Sequence, residues 1–180
     1  MSHPNILVES KDGIVTIEIS RREKKNAITS DMYRAMSAAL SRARDDSHAR
    51  VVLLRGQEDM FTAGNDLADF LQRKVGDPSA AIPFLHLIAG FEKPIVAAVA
   101  GNAVGIGTTM LLHCDLVYAA DNARFQLPFV NLALCPEGGS SLMLPRVAGY
   151  QRAAELLMLG EPFDAATARD AGFVNRVLAP

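Results

Sequence analysis

A chain of 180 residues, about half of it apolar and a fifth charged, is large enough to fold around one substantial core. Its formal charge of −2 provides no field to draw in nucleic acid or an anionic membrane, so neither is expected as a partner. The longest apolar run, residues 94–100, is far too short to span a bilayer.

Residues 6–9 and 14–19 are β-rich runs joined by Ser10-Lys11-Asp12-Gly13, and the Asp-Gly pair predicts a hairpin. A polar loop with Arg21, Arg22, Lys24 and Lys25 leads to Asn26; taken alone, such a charge run reads as a solvated loop. Thr29 or Ser30 can cap a helix in which Met32, Met36, Leu40 and Ala43 recur at helical spacing. Residues 51–54 form a continuous apolar strand, expected to be buried on both faces. A loop over 56–66 follows, then a helix from near Asp66 through Phe70, and a break at Gly76-Asp77-Pro78. Ile82, Leu85, Ile88 and Ala89 predict a further helix, ended by Gly90 and Pro94. Residues 95–99 form a second strand expected to be fully buried. Residues 101–107 are a glycine-rich turn that leads into a helix through Leu112.

Strands are predicted at 116–119 and 123–126, and a loop at Pro136-Glu137-Gly138-Gly139. Helices follow over 141–147 and 151–159. Asp164 can cap another, carried to Ala171 and stopped by Gly172, before a closing strand at 174–178. Strands thus alternate with helices, and no linker, short repeat or low-complexity segment interrupts them. Residues 1–180 therefore read as one α/β domain with mostly right-handed crossovers. Cys114 and Cys135 lack metal-like spacing, and no signal peptide is visible. Buried free thiols in a reducing, cytoplasmic compartment are the expectation. Leu178-Ala179-Pro180 is not a peroxisomal address of the Ser-Lys-Leu type.

Two glycine-centred loops follow apolar strands: Phe61-Thr62-Ala63-Gly64-Asn65-Asp66-Leu67 and Gly101-Asn102-Ala103-Val104-Gly105-Ile106-Gly107. Glycine lets a backbone approach a ligand closely, and a loop that enters a helix presents unpaired N–H groups. Such groups stabilise an oxyanion because they are fixed before charge develops. Either loop alone reads better as a plain tight turn.

Together the two loops resemble the oxyanion loops of the crotonase (enoyl-CoA hydratase/isomerase) superfamily. The resemblance extends to Asn26-Ala27-Ile28, Lys93-Pro94, Cys114-Asp115, Ala123-Arg124-Phe125, Pro136-Glu137-Gly138-Gly139 and Ala171-Gly172-Phe173-Val174, so it covers nearly the whole chain. It implies a spiral of β-β-α units. It also implies that the peptide N–H groups of Asn65 and Ile106 hold a thioester oxyanion. Ala63, Asp66 and Leu67 would contact the adenine end of coenzyme A through backbone groups, with Gly64 and Ala27 in the same CoA-binding turns. Arg21 to Lys25 could then lie near CoA phosphates. Members of the superfamily usually continue past the strand matching 174–178 into helices that close the acyl pocket and support trimers. A homo-oligomer is expected where those helices are present.

Hydratases of this superfamily use two carboxylates. The matching positions here are Thr109 and Phe129, and neither can ionise. Glu137 remains, in a Pro-Glu-Gly-x-Ser-Ser setting similar to the Δ3,Δ2-enoyl-CoA isomerase branch, where that Glu is the base. Without the resemblance, a lone Glu at a helix entrance reads as a dipole partner or cap. With it, the implied reaction moves a proton from C2 of a 3-enoyl-CoA to C4 through a dienolate. This needs no metal, nicotinamide or flavin, since CoA belongs to the substrate. A dry pocket supplied by Phe125, Phe129, Leu134 and Met110 would favour it. The alternatives are a hydratase or other crotonase-type lyase using Glu137, and a non-catalytic acyl-CoA-binding module. His86 and His113 have no motif partner and read as structural or exposed. Asp115 reads as an anchor for the strand after it, and Ser140 and Ser141 as caps or as groups that orient Glu137. Gly-x-Ser-x-Gly is absent, which removes an α/β-hydrolase elbow.

Overall fold

The computed structural model describes residues 3–72 and 79–179. Strands β1 (Ile6–Lys11) and β2 (Ile14–Ile19) pair antiparallel, from Ile6 opposite Ile19 to Lys11 opposite Ile14. Their turn has positive φ at both Asp12 and Gly13, as a two-residue hairpin requires. Helix α1 (Ser30–Asp45) is capped by Thr29, whose side chain accepts the Met32 N–H. Met32, Tyr33, Met36, Ala39, Leu40 and Ala43 form its buried stripe. At the other end Lys93 Nζ donates to the carbonyls of Ala43 and Asp46, 2.7 and 2.6 Å away, and closes the helix C-terminus.

The remaining strands come in consecutive pairs that divide between two sheets. β3 (Val51–Arg55), β5 (Ile95–Val99), β7 (Leu116–Ala120) and β10 (Arg176–Leu178) join the hairpin in a six-stranded sheet of order β1-β2-β3-β5-β7-β10. β4 (Met60–Thr62), β6 (Asn102–Val104), β8 (Arg124–Gln126) and β9 (Phe163–Asp164) form a second sheet in that order. Pairing is parallel throughout except for β1 with β2 and β8 with β9. Helices follow the second strand of the first three of these pairs, and in the last pair a helix separates β9 from β10. α2 (Leu67–Gln72) and α3 (Ala81–Ala89) come after β4, and α4 (Ile106–Thr109) after β6. α5 (Ser140–Ala148) and α6 (Tyr150–Leu159) come after β8. This is the β-β-α repeat of the crotonase fold, each turn stacking its strands beside those of the turn before.

Several expectations change. β3 and β5 are not buried on both faces: Val52, Leu54, Ile95, Ala97 and Val99 are buried, but Val51, Leu53 and Val96 are only half-buried and Ala98 is exposed. The reason is that α1 and α3 cover one face of the sheet, where Met36, Leu40, Phe84 and Ile88 meet Val52, Leu54 and Ile95. α3 buries Ala81, Phe84 and Ile88 and leaves Ile82 half exposed, because Phe84 packs on Tyr33 of α1 and sets the rotation. The 101–107 turn contains β6, whose three residues are secured by ladders on both sides. The break at Gly76-Asp77-Pro78 lies outside the described residues. Asp164 does cap α7 (Ala165–Asp170), accepting the Thr167 N–H at 2.8 Å. Cys135 is exposed rather than buried, while burial pushes the Cys114 thiol up to about 12. Among the described residues no helix is long and apolar enough to cross a membrane.

Candidate active site

The two glycine-centred loops meet because β4 and β6 are parallel neighbours and both chains leave the sheet at the same end. At Gly64, φ is +90° and an added Cβ would lie 2.7 Å from the Val104 carbonyl oxygen, so only glycine lets the first loop rest on the second. At Gly105, φ is +57° and ψ −116°, a conformation that side chains disfavour, and the space beside it is open. Room is therefore left beside the second loop.

Two backbone donors in these loops stand apart from the rest. Ile28 forms a parallel bridge to Asn65 through the flanking peptides: its N–H donates to Gly64 O at 2.8 Å, and the Asp66 N–H donates to Ile28 O at 2.9 Å. A parallel bridge of this kind turns the central residue's own N–H away from its partner. In the second loop Gly105 is committed, donating to Gln126 O and accepting from the Thr108 and Thr109 N–H groups. The next N–H, that of Ile106, opens the first turn of α4 and has no intrahelical acceptor. Neither the Asn65 nor the Ile106 N–H has an acceptor among the described residues.

The first loop is tied from behind by the chain before α1. Asn26 is wholly buried at φ +55°, a conformation asparagine tolerates. Its Nδ2 donates to the carbonyls of Ile19, Met60 and Phe61, and its Oδ1 accepts the Arg21 N–H at 2.6 Å. Arg21 Nη1 donates to Ala27 O at 2.9 Å and to Asp66 Oδ2 at 2.6 Å. Arg21 is thus a clamp inside the protein, and it holds the Asp66 carboxyl below the usual carboxylate range. Lys24 and Lys25 remain exposed. The N–H groups of Ala63 and Asp66 are spent on Lys25 O and Ile28 O, and the Gly64 carbonyl on Ile28. The Leu67 side chain is well exposed. Sequence reasoning missed Asn26 and Asp66 as structural partners because their contacts span up to 45 positions.

Glu137 and Asn65 line one pocket, with Tyr33, Asp66, Asp69 and Ile82, and Ile106 is not among its lining residues. Its position is set through its backbone. Ser140 donates both its N–H and its Oγ–H to Glu137 O, at 3.1 and 2.7 Å, and so orients the residue as well as opening α5. His113 Nε2 donates to Gly138 O at 2.8 Å; a carbonyl only accepts, which fixes the proton on Nε2. His113 therefore has a partner that its sequence context did not reveal, whereas His86 is exposed. Asp115 Oδ2 accepts the Ile95 N–H at 2.7 Å, anchoring the earlier strand β5. Thr109 is fully buried against Gly138 and Phe129 is buried.

Three carboxylates line the pocket, and two are committed. Asp66 is paired with Arg21, and Asp69 Oδ2 accepts both the N–H and the hydroxyl of Ser30. Glu137 differs: its Oε1 is shielded and has no hydrogen-bond partner among the described residues, and desolvation pushes its carboxyl up. A carboxylate in that state is suited to take and return a proton. The expected apolar lining is not met: none of Phe125, Phe129, Leu134 and Met110 lines the pocket that holds Glu137. Leu134 is exposed, and Phe125 packs into a separate cluster with Phe163 and Phe173. Among the described residues no cluster of His, Cys, Asp and Glu is placed to hold a metal ion.

The described residues thus combine a two-sheet β-β-α domain with two backbone N–H groups that lack an acceptor and one carboxylate that lacks a partner. The chain belongs to the enoyl-CoA hydratase/isomerase family, whose sequence pattern matches residues 9–180. It is 39% identical over 179 residues to enoyl-CoA delta isomerase 2 of Rattus norvegicus, covering 96% of this chain and 46% of that protein. The structure of Pseudomonas aeruginosa OdaA superposes with a TM-score of 0.93 at 49% identity, covering 98% of this chain and 72% of that one. An enoyl-CoA hydratase from Bacillus anthracis superposes with a TM-score of 0.91 at 29% identity, covering 97% of this chain and 70% of that one. The chain thus spans less than half the length of the rat relative.

Proposed function

We propose that this chain isomerises 3-enoyl-CoA to trans-2-enoyl-CoA, with Glu137 as the single proton carrier. The peptide N–H groups of Asn65 and Ile106 form the oxyanion hole. Glu137 takes a proton from C2, the C–H electron pair forms a C1–C2 double bond conjugated with C3–C4, and negative charge develops on the thioester oxygen; protonation at C4 later leaves the double bond at C2–C3. The two N–H groups meet that charge where it appears. The same carboxyl group then returns the proton at C4. CoA is held as part of the substrate, with the exposed Lys24 and Lys25 available to its phosphates.

The observation that carries this reading is the desolvated carboxylate of Glu137, unpartnered among the described residues, in a pocket whose other two carboxylates are committed. Hydration requires an ordered water and a second acid–base group, and Thr109 and Phe129 supply neither. The test is turnover of 3-enoyl-CoA and of 2-enoyl-CoA by the protein and by Glu137→Gln. Conversion of the first with little hydration of the second, and a loss of at least ~100-fold in the variant, is the expected result. Strong hydration by the unaltered protein moves the assignment to hydratase. Binding of CoA thioesters with neither reaction makes the chain a binding module.

A further inference from the structure

We propose that Tyr33 is a positioning residue for this site: its phenol O–H, donated to Asn65 Oδ1, fixes the direction of the Asn65 peptide N–H. The proposal rests on the thioester reading above and deepens it.

Asn65 needs such a restraint. The bridge to Ile28 pins the peptides on either side of it but makes no bond to its own N–H. Its side chain is the remaining handle, and Tyr33 holds it. The oxygens are 2.5 Å apart, at the short end of the O–H···O range. Tyr33 itself cannot drift. It is 3% exposed, it sits in the first turn of α1, and its ring packs on Phe84 with centroids 5.5 Å apart. Ser30, three residues earlier, is tied to Asp69 of α2 by two hydrogen bonds. The start of α1, α2 and the first loop therefore move as a unit, with the phenol reaching across to Asn65.

Tyr33 also lines the pocket that holds Glu137. Its one phenol proton goes to Asn65, so its lone pairs are what the hydroxyl has left to offer. Burial first, then the Glu137 and Asp69 carboxylates, push the phenol well above its usual range. It stays protonated and remains a donor throughout neutral pH. A phenylalanine would fill the same space with no buried hydroxyl to satisfy. The hydroxyl is thus explained by what it orients.

The test compares the wild type with Tyr33→Phe, Asn65→Ala and the double variant. Two readouts are used: kcat and KM on 3-enoyl-CoA, and the infrared carbonyl stretch of bound butyryl-CoA labelled with 13C at C1, a thioester with no double bond to move. In Tyr33→Phe, kcat is expected to fall ~10- to 100-fold with KM nearly unchanged, and the carbonyl stretch to return toward its value in solution. Asn65→Ala keeps the peptide N–H and is expected to show the same losses, the double variant being no worse than either single one. Should Tyr33→Phe not fold, Asn65→Ala carries the test alone. Wild-type values of kcat and carbonyl stretch in Tyr33→Phe overturn the proposal, and so do additive losses in the double variant. Failure of the isomerase reading looks different: the wild type then shifts the carbonyl stretch but does not convert 3-enoyl-CoA. A wild type that leaves the bound carbonyl at its solution frequency overturns the Tyr33 proposal as well.

Discussion

Replacing Glu137 by Gln should make the protein more stable at neutral pH while it removes activity. The carboxyl sits where one oxygen has no partner among the described residues and desolvation disfavours charge. Its folded pKa is therefore raised above the unfolded value, and the native state binds more protons between the two. Stability falls as pH rises through that window, from the ordinary glutamate range up to the raised value. Below the window both states carry a neutral carboxyl, and wild type and variant should melt together. Above it the wild type holds a poorly solvated charge that the amide does not. An unmet buried polar group costs roughly 1–3 kcal/mol, so with partial solvent access the gain should be about 1 kcal/mol, or ~2–4 °C in Tm for a domain of this size. Thermal melts of both proteins from pH 4 to pH 8 read this as a difference that opens with pH, cancelling the other titrating groups. A variant less stable than wild type at pH 8 would show that the carboxylate has a favourable partner, and the reasoning would fail.

Two further outcomes concern the scaffold behind the first loop. Arg21→Ala breaks the 2.6 Å bond to Asp66 and should destabilise by roughly 1–2 kcal/mol in urea at pH 7. Asp66 is held below its usual range, so that contribution is present above the ordinary aspartate value and is lost as pH falls through the lowered one. The two proteins should therefore converge in acid. Asn26→Ala strips donors from three carbonyls and should cost at least ~2 kcal/mol, visible as a lower urea midpoint with unchanged slope.

The hairpin and α1 were legible because their signals are local: Asp12-Gly13 for the turn, Thr29 for the cap, and a helical stripe from Met32 to Ala43. Of the second sheet only β8 was, as the strand predicted at 123–126. Its strands are two or three residues long, too short to show a period, and β4 and β6 are held by neighbours distant in sequence. The two glycine-centred loops and Glu137 were singled out by resemblance to a family; the structure brings Asn65 and Glu137 to one pocket, while Ile106 does not line it. Their supports were hidden. Nothing local in the sequence marks Tyr33, and its hydrogen bond to Asn65 exists only once α1 lies along the first loop. Ile82 was misassigned for the converse reason, since the Tyr33–Phe84 contact, and not the helix's own pattern, selects the buried face of α3.

The central claim is that one carboxylate carries the proton. It is tested most directly by following C2 and C4 deuterium in 3-enoyl-CoA turnover by wild type and Glu137→Gln. The account predicts transfer of label from C2 to C4 by the wild type, and a rate at least ~100-fold lower in the variant with thioester binding retained. Equal rates in the two proteins would contradict it.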